Sequence, residues 1–234
     1  MKKYFVDIVD TIDSTNDALT RKLNEGQITS DCILIARSQT NGHGTNGRSF
    51  ISDGGVGIYF TYLHFYKEDK ELSFITQKVA VAVYKFFYEV FNIELAIKWV
   101  NDLYYNDKKI CGILCRNLIK HKAVIVGVGI DLFKNANIDE SIKDIAGYIF
   151  KDSTQLLECL KGENLDDKFK NERLNVFNDF ANGNIWNPTS MVSGIVDRLI
   201  ESMGESGLPK LYIEKNIIKD KKINEDCNLE CQWT

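Results

Sequence analysis

The sequence predicts an α+β fold, a mixed but antiparallel-rich sheet flanked by helices and followed by a helical tail. Three observations predict it. Apolar, β-branched and aromatic runs bounded by turn residues crowd the chain before Asn135. Only two segments among them carry helical periodicity, too few for one crossover helix per strand, which argues against regular βαβ alternation. Past Asn135 the apolar spacing turns helical.

Taken in order, residues 4–9 alternate as a strand. "DSTNDALTRKLNEG" then supplies Ser14 as an N-cap, Asp17 three positions on and Gly26 as a stop, the signature of a short helix. "CILIARS" from Cys32 reads as a buried strand and "VGIYFTYLHF" from Val56 as another. From Lys70 to Phe91, the positions Phe74, Ile75, Val79, Ala82, Val83, Phe86 and Phe87 give one long amphipathic helix. "IELAIKWV" reads as a strand, "YYNDKK" as a hairpin turn on Asn106 and Asp107, "ICGILCR" as the return strand and "AVIVGVGIDLF" as a further strand. Helices are expected near 138–149, 152–161, 166–181 and 189–203, the last two separated by "NGNIWNP".

At 234 residues the chain can bury a core of its own, and 44% hydrophobic with 26% charged residues is an ordinary globular balance. A net charge of -4 argues against a nucleic-acid face, and "KDKKI" at Lys219–Ile223 reads as a solvated turn. Acids among the first residues interrupt any signal-peptide pattern, and "AVIVGVGI" is too short to span a bilayer, so a cytoplasmic location without membrane contact is expected. The pairs Cys111/Cys115 and Cys227/Cys231 have C-x3-C spacing and no histidine nearby, which reads as buried thiols rather than a zinc site.

"TNGHGTNGRSF", Thr40 to Phe50, spells G-x-G-x-x-G, the written form of a dinucleotide fingerprint. That fingerprint needs a strand-to-helix turn to place a pyrophosphate on a helix N-terminus. Here the loop runs into more glycines and an aromatic strand, so its setting excludes the dinucleotide reading.

Four stretches occur in order: "DSTND" (Asp13–Asp17), "SQTNGHGTNGRSF" (Ser38–Phe50), "KWVNDLYYNDKKICGIL" (Lys98–Leu114) and "GVGIDL" (Gly127–Leu132). Together they resemble the motif set of biotin protein ligases, over roughly residues 4 to 150, with "IKDIAGYIF" as a weaker continuation. The resemblance implies the class II aminoacyl-tRNA synthetase/biotin ligase-like fold. It implies ATP-dependent formation of biotinyl-5'-AMP, then transfer of the biotinyl group to a lysine of a biotin carboxyl carrier domain in a biotin-dependent carboxylase. Biotin, ATP and Mg2+ are the implied small molecules; the metal ligands stay unassigned. A lipoate or octanoate ligase of the same superfold is one alternative, and a non-catalytic biotin-binding sensor is another.

The same resemblance assigns residues. Ser14, Thr15, Asn16 and Gln39 would meet the ureido ring of biotin, a polar group that needs several partners once desolvated. Gly42, His43, Gly44 and Thr45 would form a lid over the acyl-adenylate, with Gly42, Gly44 and Gly47 giving its backbone freedom. Arg48 would clamp phosphate oxygens, and Lys109 would bridge the biotin carboxylate and the α-phosphate; these two are the expected catalytic residues. Gly112 would leave room along the biotin tail, and Asn101, Asp102 and Asp131 would lie near the nucleotide.

The chain also departs from the pattern. His43 and Thr45 stand where the usual loop has arginines, so the lid lacks two permanent charges and is expected to hold its intermediate weakly. Val100 replaces a proline, and Asp131 replaces an asparagine. Residues 1–205 are expected to form the catalytic domain and 206–234 a short remnant of the C-terminal SH3-like domain, a truncated β remnant with room for two strands. With nothing before the first catalytic strand, the expectation is a member without the N-terminal DNA-binding domain. An exposed sheet edge leaves room for a homodimer.

Overall fold

The structure, a computed structural model, describes residues 4–136, 138, 140, 142–162, 165–181, 187–205 and 207–215, with the backbone of 221–223 and 229–231. A seven-stranded sheet organises it, built from β1 (Phe5–Ile12), β2 (Cys32–Gln39), β3 (Gly57–Phe65), β4 (Ala96–Lys98), β5 (Asp102–Tyr105), β6 (Lys108–Leu118) and β7 (Ala123–Asp131). The spatial order is β1-β2-β3-β7-β6-β5-β4. Only β1 and β2 run parallel; every other pairing is antiparallel. The expected α+β fold with an antiparallel-rich sheet is therefore the one observed.

One face of the sheet carries the principal core. Here α2 (Ile75–Phe91) and α5 (Thr189–Met203) pack on Ile33 and Ile35 of β2, Ile58, Phe60 and Tyr62 of β3, and Val124, Val126, Val128 and Ile130 of β7. On the other face α1 (Thr15–Asn24) seats Ala18, Leu19 and Leu23 against Leu34, Leu63, Ala123 and Ile125. Side chains alternate between faces along a strand, so β7 should continue the second row after Ile125 with residues 127 and 129. Both are glycines, and the α1 face is left open there. Across the register, Gly127 lies between Leu114 and Thr61, and Gly129 between Gly112 and Tyr59. This gap in the apolar row creates a cavity.

The local readings of α1 and of the hairpin hold. Ser14 caps α1 by accepting from the Asp17 backbone N–H, and Asn106 and Asp107 both take the left-handed conformation that a tight hairpin requires. Two expectations need correction. The long helix from Lys70 is interrupted: a 3-10 turn over Asp69–Leu72 precedes α2, and Phe74 between them has φ 57. No helix forms among the described residues of 138–149; instead Ala146 bridges Lys109 and Phe150 bridges Phe133. These backbone pairings satisfy the segment's polar groups against the sheet, and tertiary pairing overrides the helical pattern. Near the C-terminal end "KLYIE" forms the short α6 (Lys210–Glu214).

Further on, α3 (Ser153–Cys159) occupies part of the helix expected at 152–161, and the segment 166–181 holds a 3-10 turn followed by α4 (Lys170–Ala181). Most of the "NGNIWNP" connection lies outside the described residues. Tyr212 of α6 is fully buried in the principal core and donates to the Val100 carbonyl at 3.0 Å. Through Tyr212, α6 thus shares the core of the sheet. Beyond them β8 (Lys221–Ile223) and β9 (Leu229–Cys231) pair antiparallel as a two-stranded sheet. The "KDKKI" run therefore ends in a strand, not a turn; Cys227 lies outside the described residues.

Candidate active site

The cavity lies on the α1 face, at the gap left by the glycines of β6 and β7, under the loop between β2 and β3. Its inner end is polar and almost fully buried: Ser14, Thr15 and Asn16 line it, Ser52 and Thr61 back it through hydrogen bonds, and all five are 5% exposed or less. Gln39 organises this end. Its Oε1 accepts from the Thr15 amide at 2.8 Å and the Thr15 hydroxyl at 3.1 Å, while its Nε2 donates to the Ser52 hydroxyl at 2.9 Å. Thr61 reaches across from β3, with its hydroxyl 2.6 Å from Asn16 Oδ1 and 2.8 Å from the Thr15 hydroxyl. One hydroxyl proton can serve only one of these acceptors at a time, so this end keeps acceptor capacity for a polar guest.

The middle of the cavity is narrow and apolar. A Cβ on Gly127 would stand 2.4 Å from Asn16 Oδ1, and one on Gly112 would stand 2.8 Å from the Phe50 ring. Bare Cα atoms are therefore a steric requirement at the floor. Phe50, at the end of the glycine loop, covers that floor, with its ring edge-on to Tyr59 at 6.3 Å.

At the far end stand Lys109, Asp102 and Asn101. Lys109 is held by backbone bonds on both sides: its N–H donates to the Ile145 carbonyl, and its carbonyl accepts from Gly147. Its ammonium meets Asp102 Oδ1 at 2.7 Å, yet that oxygen has no aligned hydrogen-bond donor although it is buried. Asn101 is fixed by two bonds with the Ile113 backbone, each 2.9 Å. The peptide bond between Trp99 and Val100, just before this pair, is cis.

The glycine loop closes over the cavity as a compact lid. Gly44 donates to the Arg48 carbonyl at 2.7 Å and Phe50 to the Gly42 carbonyl at 2.8 Å, with a 3-10 turn over Thr45–Gly47 between them. Asn46 and Gly47 are both left-handed. Gly42 is needed for another reason: an added Cβ would stand 2.4 Å from the Phe50 carbonyl oxygen, inside the stem of the lid. Arg48 is exposed and makes no ion pair among the described residues, so its guanidinium is free for an anion.

All the sequence-predicted site residues line this cavity except Gly42, Gly47 and Asp131. Gly42 sits in the lid stem. Asp131 ends β7 opposite Gly57. Burial pushes its carboxyl up to about 7, with the Asp53 carboxylate adding to the rise and Lys109 opposing it. Sequence reasoning missed Phe50, Ser52, Thr61, Gly127 and Gly129. The two glycines and Phe50 stand inside quoted motifs, and the period-2 pattern of "AVIVGVG" would have put both glycines on one face. Cys111 is fully buried and its thiol is pushed well up by desolvation, in keeping with an inert core residue. Among the described residues no group of three or more His, Cys, Asp or Glu side chains could hold a metal ion.

The Biotin/lipoate A/B protein ligase family matches residues 8–131. The bifunctional ligase/repressor BirA of Bacillus subtilis is 32% identical over 121 residues, which cover 49% of this chain and 37% of that protein. Biotin–protein ligase 2 of Arabidopsis thaliana is 28% identical over 177 residues, 72% of this chain and 51% of the relative. The solved biotin protein ligase from Aquifex aeolicus, in complex with biotin and ATP, is 27% identical with a TM-score of 0.58, covering 90% of this chain and 74% of that one. The chain spans about half or less of the length of these curated relatives. The matched span runs from within β1 to the end of β7 and contains most of the cavity wall; the chain belongs to the biotin/lipoate A/B protein ligase family.

Proposed function

We propose that this chain joins biotin to a lysine of a biotin carboxyl carrier domain through biotinyl-5'-AMP. The observation that carries the reading is the order of chemistry along one cavity: a polar end at Ser14, Thr15, Asn16 and Gln39, backed by the buried Thr61, a narrow glycine floor under Phe50, and Lys109 at the far end. Biotin has the same order, a ureido ring, a slim aliphatic tail and a carboxylate. A dithiolane or an octanoyl chain would leave the polar end unpaired at a cost of about 1–3 kcal/mol per group, which disfavours the lipoate and octanoate readings. The relatives' names, biotin–protein ligase and a ligase complexed with biotin and ATP, support the same substrate pair.

In the first half-reaction a carboxylate oxygen of biotin attacks the α-phosphorus of ATP and pyrophosphate leaves. Lys109 would hold the two negative partners together, and Arg48 would draw phosphate oxygens under the lid. Magnesium would neutralise triphosphate charge. Asp102, whose Oδ1 already faces the Lys109 ammonium, would be the carboxylate beside that ion, which the phosphates themselves would mostly ligate. In the second half-reaction the carrier lysine amine attacks the acyl carbon and AMP leaves. No described helix is long and apolar enough to cross a membrane; the partner this reading assigns is a cytoplasmic carrier domain. The outer edge of β1 offers a place for a second copy.

The test is pyrophosphate exchange into ATP with biotin or lipoate, followed by mass analysis of a carrier domain incubated with biotin and Mg-ATP. Biotin-dependent exchange and one biotinyl mass increment are expected. Biotin binding without exchange would establish the sensor reading instead, and exchange driven by lipoate would overturn the substrate.

A further inference from the structure

The lid has one side-chain hydrogen bond from its own residues to another element among the described residues. His43 Nε2 stands 2.8 Å from Asp17 Oδ2, in the first turn of α1. The other oxygen of the same carboxylate, Oδ1, accepts from Arg116 at 2.7 Å. Arg116 lies ninety-nine residues away in sequence, on β6. It shares a strand face with Gly112 and Leu114, both of which line the cavity. Its Nε is buried and has no hydrogen-bond partner, so the guanidinium is committed to this place at some cost in hydration. Asp17 is thus gripped from the sheet on one side and grips the lid on the other, with its backbone N–H pointed at the Ser14 hydroxyl at 3.4 Å.

We propose that Asp17 is a positioning residue that latches the lid over the cavity through His43, with Arg116 orienting its carboxylate. The arrangement ties the element carrying Ser14, Thr15 and Asn16, the strand carrying Lys109 and Gly112, and the lid carrying Arg48 into one unit. Its contribution is to hold the lid closed while the adenylate awaits the acceptor. The retention part of this proposal rests on the function proposed above; the latch itself does not.

Two readouts separate them. In ligand-free protein, trypsin cleavage at the Arg48–Ser49 bond reports lid opening whatever the site binds. Asp17→Ala and His43→Ala should each speed that cleavage about tenfold, the loss of one charge-assisted hydrogen bond, and the double variant should be no faster than either single one. Asp17→Asn keeps an acceptor for His43 and should restore most of the protection, while Arg116→Ala should give a partial loss. With biotin and Mg-ATP, the same order should govern release of the adenylate from the enzyme. Wild-type cleavage in Asp17→Ala, or effects that multiply in the double variant, would overturn the latch. If no adenylate forms, the proposed function fails while the ligand-free comparison still decides the latch. Thermal unfolding of each variant checks folding, and His43→Ala, in the exposed lid, carries the test if Asp17→Ala unfolds.

Discussion

The ring of Phe50 rests on Gly129 so closely that a Cβ there would stand 2.3 Å from Cε1 and 2.5 Å from Cζ. The lid's aromatic end and the floor strand are therefore fitted to each other. Gly129→Ala should push the ring off the floor, weaken biotin binding at least about tenfold and lower stability by about 1–3 kcal/mol, the usual cost of overpacking. Calorimetric titration with biotin and urea unfolding would measure both. Pairing Gly129→Ala with Phe50→Ala should cost less than the sum of the two, and strict additivity would argue against the contact.

Lys109 and Asp102 meet at 2.7 Å at the end of the cavity opposite the polar network. Removing the ammonium takes away the charge expected to steady the developing oxyanions, an effect of about a hundredfold or more in rate. Lys109→Met should reduce pyrophosphate exchange by about that factor while biotin affinity falls less, because the ureido partners are untouched. Equal losses in both would reassign Lys109 to simple binding.

What the sequence revealed and concealed follows from the range of the interactions involved. The cap at Ser14 and the turn at Asn106–Asp107 rest on neighbouring residues, and the chemistry of those residues alone announces them. The segment 138–149 has a helical pattern, but Ala146 within it pairs with Lys109 and Phe150 just past it with Phe133, and no local window contains that information. The cavity behaves the same way. Its motifs are visible as words, but that Gly112, Gly127 and Gly129 share one floor under Phe50 depends on strand order, which only the folded sheet supplies. Arg116 carries no motif role and gains one only by lying across from Asp17.

Thr61 has no exposed surface, and its one hydroxyl proton sits within reach of both Asn16 Oδ1 and the Thr15 hydroxyl. Thr61→Val keeps the shape and removes the hydroxyl, leaving buried acceptors without their donor at a cost of about 1–3 kcal/mol. The melting temperature should fall accordingly, and the KM for biotin should rise while the KM for ATP stays unchanged. A matching rise for ATP would show that the polar end is not reserved for the acid substrate.

Asp131 supplies a pH signature. Its carboxyl is raised to about 7 in the folded protein from an ordinary 3.8, chiefly by burial. The folded chain therefore holds this proton more tightly than the unfolded chain. The contribution is most favourable below the unfolded value, declines as pH rises between about 4 and about 7, and then levels off. Asp131→Asn removes the titration and should flatten that decline. At pH 8 the variant should be more stable than wild type by about 1–2 kcal/mol, less than the full linkage because the residue is only partly buried. At pH 5, where the wild-type carboxyl is mostly protonated, the difference should shrink. Urea midpoints at the two pH values decide it: a variant no more stable than wild type at pH 8 would mean that Lys109 already compensates the Asp131 charge in the folded state.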